Sequence, residues 1–331
     1  MALMTLSYML RRVGYVTLNL FVIVTIAFFL FRLIPGNPAD IMVGSLASDE
    51  LRQTIIDRYG LADPLPLQYL KYMRSLVTSD LGSSLMTNRP VSEVIFRSFS
   101  NTLVLVLGIF VVSFTVGGLI GALLGWKRGT WVERVGGALE LLVRGAPTFF
   151  VGVILILIFS ITLDWLPSTG MRSGGFDETN LFRIYTSADF LKHLILPVIT
   201  GSLYAHVVPA LIMRNTMIYL KHADFLDLAR AKGLSERAVM LRHGVRNALM
   251  PLIAEGSQFL GWAVGGLVAI EFVFSWPGLG REIVHALDAR DYPIAQGAFL
   301  FIAILVLVVY FAADLLASLL DPRVRRRSST D

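Results

Sequence analysis

Six long apolar stretches constrain this chain more than any other feature of its sequence. Each is about 20 residues long or longer, the length that an α-helix needs to cross the hydrocarbon core of a bilayer. They cover residues 13–34, 103–124, 136–163, 191–212, 249–274 and 298–320. Spanning β-strands would be about half as long, so the pattern predicts an all-α, polytopic helix bundle with about six spans.

The composition agrees with a membrane protein. The 331 residues are 55% hydrophobic and 16% charged, with a mean hydropathy of +0.67, whereas a soluble domain has roughly 25% charged residues. We therefore predict one membrane domain over residues 1–331. The absence of cysteine excludes disulfides, thiolate metal sites and cysteine nucleophiles.

The basic residues predict the orientation of the bundle. Lys and Arg cluster at residues 11–12, 127–134, 214–246 and 323–327. By the positive-inside rule that side is cytoplasmic and holds both termini. Segment 35–101 balances its basic residues with acidic ones and is predicted to be external, with short helices at 49–59 and 67–76. The net charge of +5 thus follows a membrane pattern and does not indicate nucleic acid as a partner.

Two kinds of residue predict how the helices pack. Proline inside an apolar stretch removes a backbone donor and predicts a kink; three lie there, at Pro147, Pro197 and Pro209. Three glycines spaced by four fall on one helix face and predict the close approach of another helix; they are Gly117, Gly121 and Gly125.

The sequence lacks the motifs of an enzyme. It has no G-x-x-x-x-G-K-[ST] phosphate loop, no H-E-x-x-H and no G-x-S-x-G, and its five histidines show no metal-ligand spacing. We expect no catalytic residues, no metal and no cofactor. The energy for transport would have to come from a partner, or transport would be passive.

The cytoplasmic loop 214–248 carries the most informative local signals. Asp224 is predicted to cap a short helix, with Asp227 three residues on as in a capping box. Gly233 supplies a left-handed stop, and Ser235 caps a second short helix.

The first of these helices is predicted to present an apolar ridge. Phe225, Leu228, Ala229 and Lys232 fall on adjoining turns, with small Ala229 available for close approach. Such a ridge is typical of a docking surface. The alternative is a basic amphipathic loop resting on anionic lipid headgroups, and composition alone does not decide between them.

This loop resembles the EAA loop of ABC importer permeases. That pattern, Glu-Ala-Ala followed by Gly four residues after the last Ala, is represented here by Asp-Leu-Ala at 227–229 and Gly233, and Arg246 replaces a proline that sugar-importer permeases carry. Ala-Arg-Ala-Lys-Gly-Leu at 229–234 and the Arg-His to Pro run at 242–251 resemble the branch that imports dipeptides, oligopeptides and nickel.

The resemblance extends over nearly the whole chain. Further matching segments are Arg-Leu-Ile-Pro-Gly-Asn-Pro-Ala at 32–39, Asp-Pro-Leu-Pro-Leu-Gln-Tyr at 63–69, Asp-Leu-Gly at 80–82, Glu-Phe-Val-Phe-Ser-Trp-Pro-Gly-Leu-Gly at 271–280, Arg-Asp-Tyr-Pro at 290–293 and Asp-Pro-Arg at 321–323. The resemblance implies a type I importer permease of a bacterial inner membrane. Its implied partners are a second related permease, two cytoplasmic ATPases, an external solute-binding protein and membrane lipid.

The resemblance also implies which residues of this loop couple the permease to the ATPase. In the family the EAA loop inserts as a coupling helix into a groove of the ATPase. The resemblance implies that Asp227, Ala229 and Gly233 are the coupling positions, with Arg230 and Lys232 as rim contacts. In this interpretation peptides are the first substrate class to consider, while nickel, glutathione and short sugars remain open.

Ionisable residues at membrane depth suggest a gate and also a rival function. Isolated charges there are costly, so Arg144, His206, Glu255 and Asp314 should face the bundle, an aqueous path or an interface. Packing explains each of them, but Glu255 and His206 are also candidate gate or path residues. A proton-coupled secondary transporter would use Glu255, His206 and Asp314 as a relay, and a membrane scaffold would carry no solute at all.

Overall fold

In the computed structural model, residues 6–32, 53, 56, 62–78, 80–174 and 181–320 are described, and their regular elements are helices. One isolated antiparallel bridge joins Ser83 and Pro90. In chain order the helices are α1 (Leu6–Arg32), α2 (Leu65–Val77), α3 (Val91–Trp126), α4 (Trp131–Gly145), α5 (Thr148–Leu155), α6 (Leu181–Thr186), α7 (Ala188–Ala205), α8 (Val207–Leu220), α9 (Asp224–Ala231), α10 (Glu236–Ala238), α11 (Arg246–Gly266), α12 (Val268–Val273), α13 (Leu279–Asp288) and α14 (Tyr292–Leu320). Two π-helical segments continue α5 and α10, at Ile156–Thr162 and Val239–Val245.

Helices lie over all six predicted apolar stretches, which confirms the all-α prediction. In the described part of the chain, two helices are long and apolar enough to cross a membrane, Val91–Trp126 and Tyr292–Ala312. The number of such spans rises to as many as four if each of two bent helix pairs is counted as one span. The apolar part of α1 described there, Gly14–Leu30, is shorter. Helices α11 and α12 cover the fifth predicted stretch.

The bent pairs lie at two of the predicted prolines. The axis turns by 97° between α4 and the helix that begins after Pro147, and by 45° between α7 and α8. Pro209 is in the first turn of α8 and cannot donate a backbone hydrogen bond to the end of α7, so the break at His206 has a direct cause. By contrast, α7 continues through Pro197 as one helix.

The described residues form two compact units. One is drawn from Met1–Ser100 and Gly278–Ala312, and the other from Asn101–Pro277 and Ala313–Asp331. The prediction of a single membrane domain with an external segment at 35–101 stays a prediction. The predicted helix at 67–76 is confirmed as α2, while the one at 49–59 lies outside the described residues, apart from isolated positions.

The first unit packs helices α3, α13 and α14 around an aliphatic core. Its fully buried members include Val91, Leu279 and Ala295. Elsewhere in this unit α2 packs on α1, because the ring of Phe28 meets the ring of Tyr69 edge-on at 5.3 Å. The hydroxyl groups of Tyr69 and Thr25 lie 2.8 Å apart and are hydrogen-bonded.

The second unit contains the glycine face of α3. A Cβ atom at Gly117, Gly121 or Gly125 would collide with the backbone of α7 and α8; at Gly125 it would lie 2.5 Å from the carbonyl oxygen of Arg214. Real Cβ atoms do not come this close to other heavy atoms. The predicted close approach of a helix to this face is therefore confirmed.

Candidate functional site

The candidate site is helix α9, in the predicted cytoplasmic loop. Its N-cap is Ala223, and no side chain caps it, so the prediction that Asp224 is the cap is wrong. Asp224 is the first helical residue, where its charge still favours the positive end of the helix dipole. The carboxylate of Asp227 turns instead to Arg230, whose Nη1 donates to it at 2.6 Å.

The C-terminal end of α9 agrees with the prediction. Gly233 has φ = +79°, the left-handed region that stops a helix and favours glycine. The backbone amide of Leu234 donates to the carbonyl of Ala229 at 3.4 Å across this turn. A Cβ atom at Gly233 would meet nothing within 4 Å, so the position requires glycine for its backbone conformation and not for space.

The second predicted helix is capped as expected but is not short. The Ser235 hydroxyl accepts a hydrogen bond from the amide of Ala238 at 3.4 Å. Helix α10 then continues through the π-helical segment Val239–Val245 directly into α11. The predicted short helix is therefore the first part of the helical path over the fifth apolar stretch.

Replacing Ser235 with Ala should destabilise the start of this helix by about 1 kcal/mol, because it removes the acceptor for one backbone donor. Hydrogen exchange at the amide of Ala238 should become several-fold faster. A Ser235→Asp variant keeps an acceptor at the cap and should exchange at the wild-type rate. Equal exchange in all three proteins would show that the cap does not hold this end of the helix.

The inner face of α9 packs on its own chain. Leu226 is fully buried, and Ala229 is only 4% exposed, in a cluster with Trp126, Met217 and Val239. Ala229 was predicted to lie close to a partner surface; in this chain it is covered by its own permease, and its coupling role stays a prediction. Its small side chain instead lets α9 lie close to its own permease, since residues 226 and 229 share the face that turns inward.

Trp126, at the end of α3, connects α9 to the membrane helices. The guanidinium carbon of Arg230 lies 5.6 Å from the centre of its ring and the Lys221 ammonium 6.0 Å from it, both within cation–π range. Lys221 Nζ also donates to the Trp126 carbonyl at 2.8 Å. The sequence analysis did not identify Trp126. Its role depends on contacts with the basic residues Lys221 and Arg230, which are distant from it in the sequence, so no local pattern predicts it.

Arg230 is used within the chain. Its Nε donates to Glu236 at 2.9 Å, and the hydrogen bonds to Glu236 and then to Asp227 raise the pKa of Arg230. Its side chain is 29% exposed. The expected rim contact at Arg230 is therefore disfavoured, because a partner would compete with two carboxylates and an indole ring.

The outer face of α9 is exposed and partly apolar. Phe225 is 38% exposed and Leu228 58%. Lys232 is exposed beside them, and the carboxylate side chain of Asp227 is 66% exposed. The structure thus places two large apolar side chains and a lysine on one surface of a helix whose adjoining face is buried against the permease.

Comparison with known proteins decides the family. The family model described as "Binding-protein-dependent transport system inner membrane component" matches residues 117–326, and the model of its N-terminal part matches residues 5–106. The chain belongs to this family. It is therefore a transmembrane permease subunit of a binding-protein-dependent importer, a multi-pass protein of the bacterial inner membrane.

Relatives of the permease match along its whole length. It is 35% identical to the di/tripeptide transport system permease DppB of Pseudomonas aeruginosa and 32% identical to the glutathione transport system permease GsiC of Salmonella typhimurium; each alignment covers 97% of this chain and 99% of the relative. A solved structure of the inward-facing MetNI methionine ABC transporter matches with a TM-score of 0.52 at 16% identity, over 70% of this chain and 97% of that chain. This last likeness concerns the fold alone.

The permease's candidate gate residues lie apart from the coupling helix. Glu255 is half-buried on α11. His206 is 7% exposed at the break between α7 and α8, with Nδ1 3.1 Å from the Ser202 carbonyl oxygen. Among the described residues no hydrogen bond or ion pair joins His206 to Glu255. The side chain of Asp314 lies outside the described part of the chain, and family membership does not favour the secondary-transporter alternative.

The structure adds charged residues that sequence reasoning missed. Glu133 on α4 forms an ion pair with Arg214 on α8, next to the glycine face of α3. Glu140, two turns further along α4, lies within electrostatic range of His206 and Arg214. In the sequence, this charged side of α4 is indicated only by the spacing of Glu133 and Glu140, which are seven residues, or two helical turns, apart. In the described residues no group of three or more acidic or histidine side chains could hold a metal.

Proposed function

We propose that this permease imports di- or oligopeptides as half of a translocation path, and that its energy comes from cytoplasmic ATPases docked on the outer face of α9. The observation that carries the proposal is the two-sided construction of α9. Leu226 and Ala229 fix one face to the permease. Phe225 and Leu228 leave the other face open to a partner.

The substrate class is supported by the relatives. Two relatives that match over 99% of their own length are described as transporting di- and tripeptides and glutathione, and glutathione is itself a peptide. Nickel and short sugars are the alternatives that the uptake experiment tests. Specificity would then depend largely on the external binding protein that delivers the solute.

The partner set we propose is a second related permease, two ATPases and an external solute-binding protein. The permease would be a non-catalytic subunit, since its sequence holds no phosphate-binding loop. Closure of the ATPases on ATP would move α9, and Trp126 would pass that motion to α3. The membrane helices would then alternate between outward and inward openings, with Glu255 and His206 as candidate gate residues.

The test of this function is uptake by the reconstituted complex. Proteoliposomes with both permeases and both ATPases should accumulate a labelled dipeptide only when the binding protein is outside and ATP is inside. A labelled sugar and Ni²⁺ serve as the competing solutes. Accumulation without ATP, driven by a proton gradient, would overturn the proposal in favour of a secondary transporter.

The proposed orientation makes a separate prediction. A periplasm-active reporter fused after Gly82 should be active, whereas a fusion after Lys232 should be active only with a cytoplasm-active reporter, because the basic residues cluster at the latter side. Paired alkaline-phosphatase and green-fluorescent fusions measure both. An external location of Lys232 would remove the ATPase-docking proposal.

A further inference from the structure

One side of helix α2 is fixed against helix α1. The ring of Phe28 on α1 meets the rings of Tyr69 and Tyr72 on α2 at 5.3 Å and 5.5 Å between centroids. The hydrogen bond between the hydroxyl groups of Thr25 and Tyr69 adds a polar contact to the aromatic ones. Phe28 is only 1% exposed. Helix α2 is therefore held at one level along α1.

That level is the boundary of the membrane. The apolar part of α1 is Gly14–Leu30, and at a rise of 1.5 Å per residue Thr25 lies about 8 Å and Phe28 about 3 Å before its end. This end is the one away from the basic residues at 11–12 and is external in the predicted orientation. Helix α2 has 13 residues, which is too short to cross a hydrocarbon core of about 30 Å.

The other side of α2 carries exposed apolar side chains around one arginine. Leu70, Arg74 and Val77 are spaced by four and three residues and so share one face of the helix. Leu70 is 63% exposed and Val77 87%, and Arg74 between them is exposed as well. Large apolar side chains exposed in series indicate a surface that something covers.

The charge on α2 is entirely basic. Its charged residues are Lys71 and Arg74. The Lys71 ammonium is paired with the carboxylate of Asp63 at 2.5 Å, whereas Arg74 has no ion pair in the described part of the chain. A guanidinium binds a phosphate through two parallel hydrogen bonds, and its stem lies well along apolar surface. Arg74 is therefore free to meet an anion above an apolar layer.

An exposed apolar surface of α1 continues as far as α2. Its members are spaced like one face of a helix, at Leu18, Val22, Ile26 and Phe29, and in the predicted span such a stripe suits contact with acyl chains. Phe29, the last of them, is also stacked on the ring of Tyr69 at 6.4 Å. The surface that suits acyl chains thus ends directly beside α2.

We infer that α2 lies along the outer surface of the membrane and binds anionic phospholipid. Leu70 and Val77 enter the boundary between headgroups and acyl chains, as the apolar face of an interfacial helix does, and Arg74 binds a lipid phosphate. Anionic headgroups attract basic side chains at this depth. The interaction goes beyond the proposed function, because it involves neither the solute nor the ATPases.

The first experiment measures which medium surrounds the exposed face of α2. The chain contains no cysteine, so Leu70→Cys and Val77→Cys each give one site for a nitroxide spin label in the full-length permease. In nanodiscs that contain phosphatidylglycerol, we compare the access of oxygen, which concentrates in the bilayer, with that of a water-soluble nickel chelate. Leu18→Cys provides the lipid-facing reference and Thr87→Cys, at an exposed polar position, the water-facing one.

Both α2 labels should show a ratio of oxygen to chelate access several-fold above that of the Thr87→Cys label and closer to that of Leu18→Cys. A ratio equal to that of Thr87→Cys would overturn the inference, because the face would then lie in water. Protection from both reagents would also overturn it, because a protein surface would then cover the face. Neither readout depends on ATPases or uptake, so its failure is distinct from a failure of the proposed function.

The second experiment measures the preference for an anionic headgroup. A fluorophore on Val77→Cys is quenched by nitroxide-labelled phosphatidylglycerol or phosphatidylcholine in otherwise identical nanodiscs. Phosphatidylglycerol should quench more strongly, and Arg74→Gln should reduce that preference roughly fivefold, the contribution of one basic side chain at an anionic surface. Arg74→Lys keeps the charge and should retain most of the preference.

Lys71→Gln is the matched control for Arg74→Gln. Lys71 is on the same helix, but its charge is already paired with Asp63, so its loss should change the preference much less. Equal quenching by the two lipids in the protein with Arg74 intact would overturn the binding of anionic lipid. Equal preferences in Arg74→Gln and Lys71→Gln would overturn the role of Arg74.

Discussion

A Leu228→Glu permease is expected to lose its ATPases while remaining in the membrane at the wild-type level. Leu228 is 58% exposed on the outer face of α9, so the substitution should leave the permease's own packing intact. At a docked interface the new carboxylate would be buried without a partner, which costs about 2 to 5 kcal/mol. That corresponds to association weaker by roughly thirtyfold to a few thousandfold. The measurement is ATPase co-purification together with dipeptide uptake.

Two further variants separate docking from folding. Leu228→Met keeps the volume and the apolar surface and should retain association. Ala229→Glu should also reduce association, but by another route, since Ala229 is buried against Trp126 and Met217 and a carboxylate there disturbs the loop itself. Its membrane level should therefore fall too. If the Leu228→Glu permease kept wild-type association and uptake, the docking proposal would be wrong. The interpretation of the loop as a lipid-headgroup contact would then take its place.

The face assignment of α9 shows where sequence reasoning stops. The helix carries apolar residues on two adjoining faces, with Leu226 and Ala229 on the buried one and Phe225 and Leu228 on the exposed one. Periodicity identifies both stripes but does not say which is covered. The covered face is the one that packs in a cluster with Trp126. Trp126 lies about a hundred residues earlier in the chain, so no local pattern predicts this contact.

Local backbone chemistry was much more predictable. Gly233 and Ser235 adopt the conformations expected of a stop and a cap because those preferences depend on a few neighbouring atoms. Pro147 likewise marks a helix break, although the 97° angle there depends on packing. The ion pair of Glu133 and Arg214 joins two helices that are distant in sequence, so no local pattern predicts the pairing of these two residues.

Gly121→Val should prevent the permease from accumulating in the membrane. A Cβ atom at Gly121 would lie 2.8 Å from both the Cα and the carbonyl carbon of Ala210, and closer still to its carbonyl oxygen. All three are backbone atoms of α8 and cannot rotate away, so α3 and α8 would have to separate. Overpacking of this kind costs about 3 kcal/mol or more, which is enough to lower the steady-state level several-fold.

Gly137 on α4 offers a matched control for that substitution. A Cβ atom there would meet nothing within 4 Å, so Gly137→Val should accumulate at the wild-type level. Quantitative immunoblots of membranes and thermal melting of the detergent-extracted permease measure both variants. If Gly121→Val matched Gly137→Val in level and melting temperature, α3 and α8 could not be in backbone contact at this glycine. The path from Trp126 through α3 into the bundle would then need another route, because it depends on these two helices moving together.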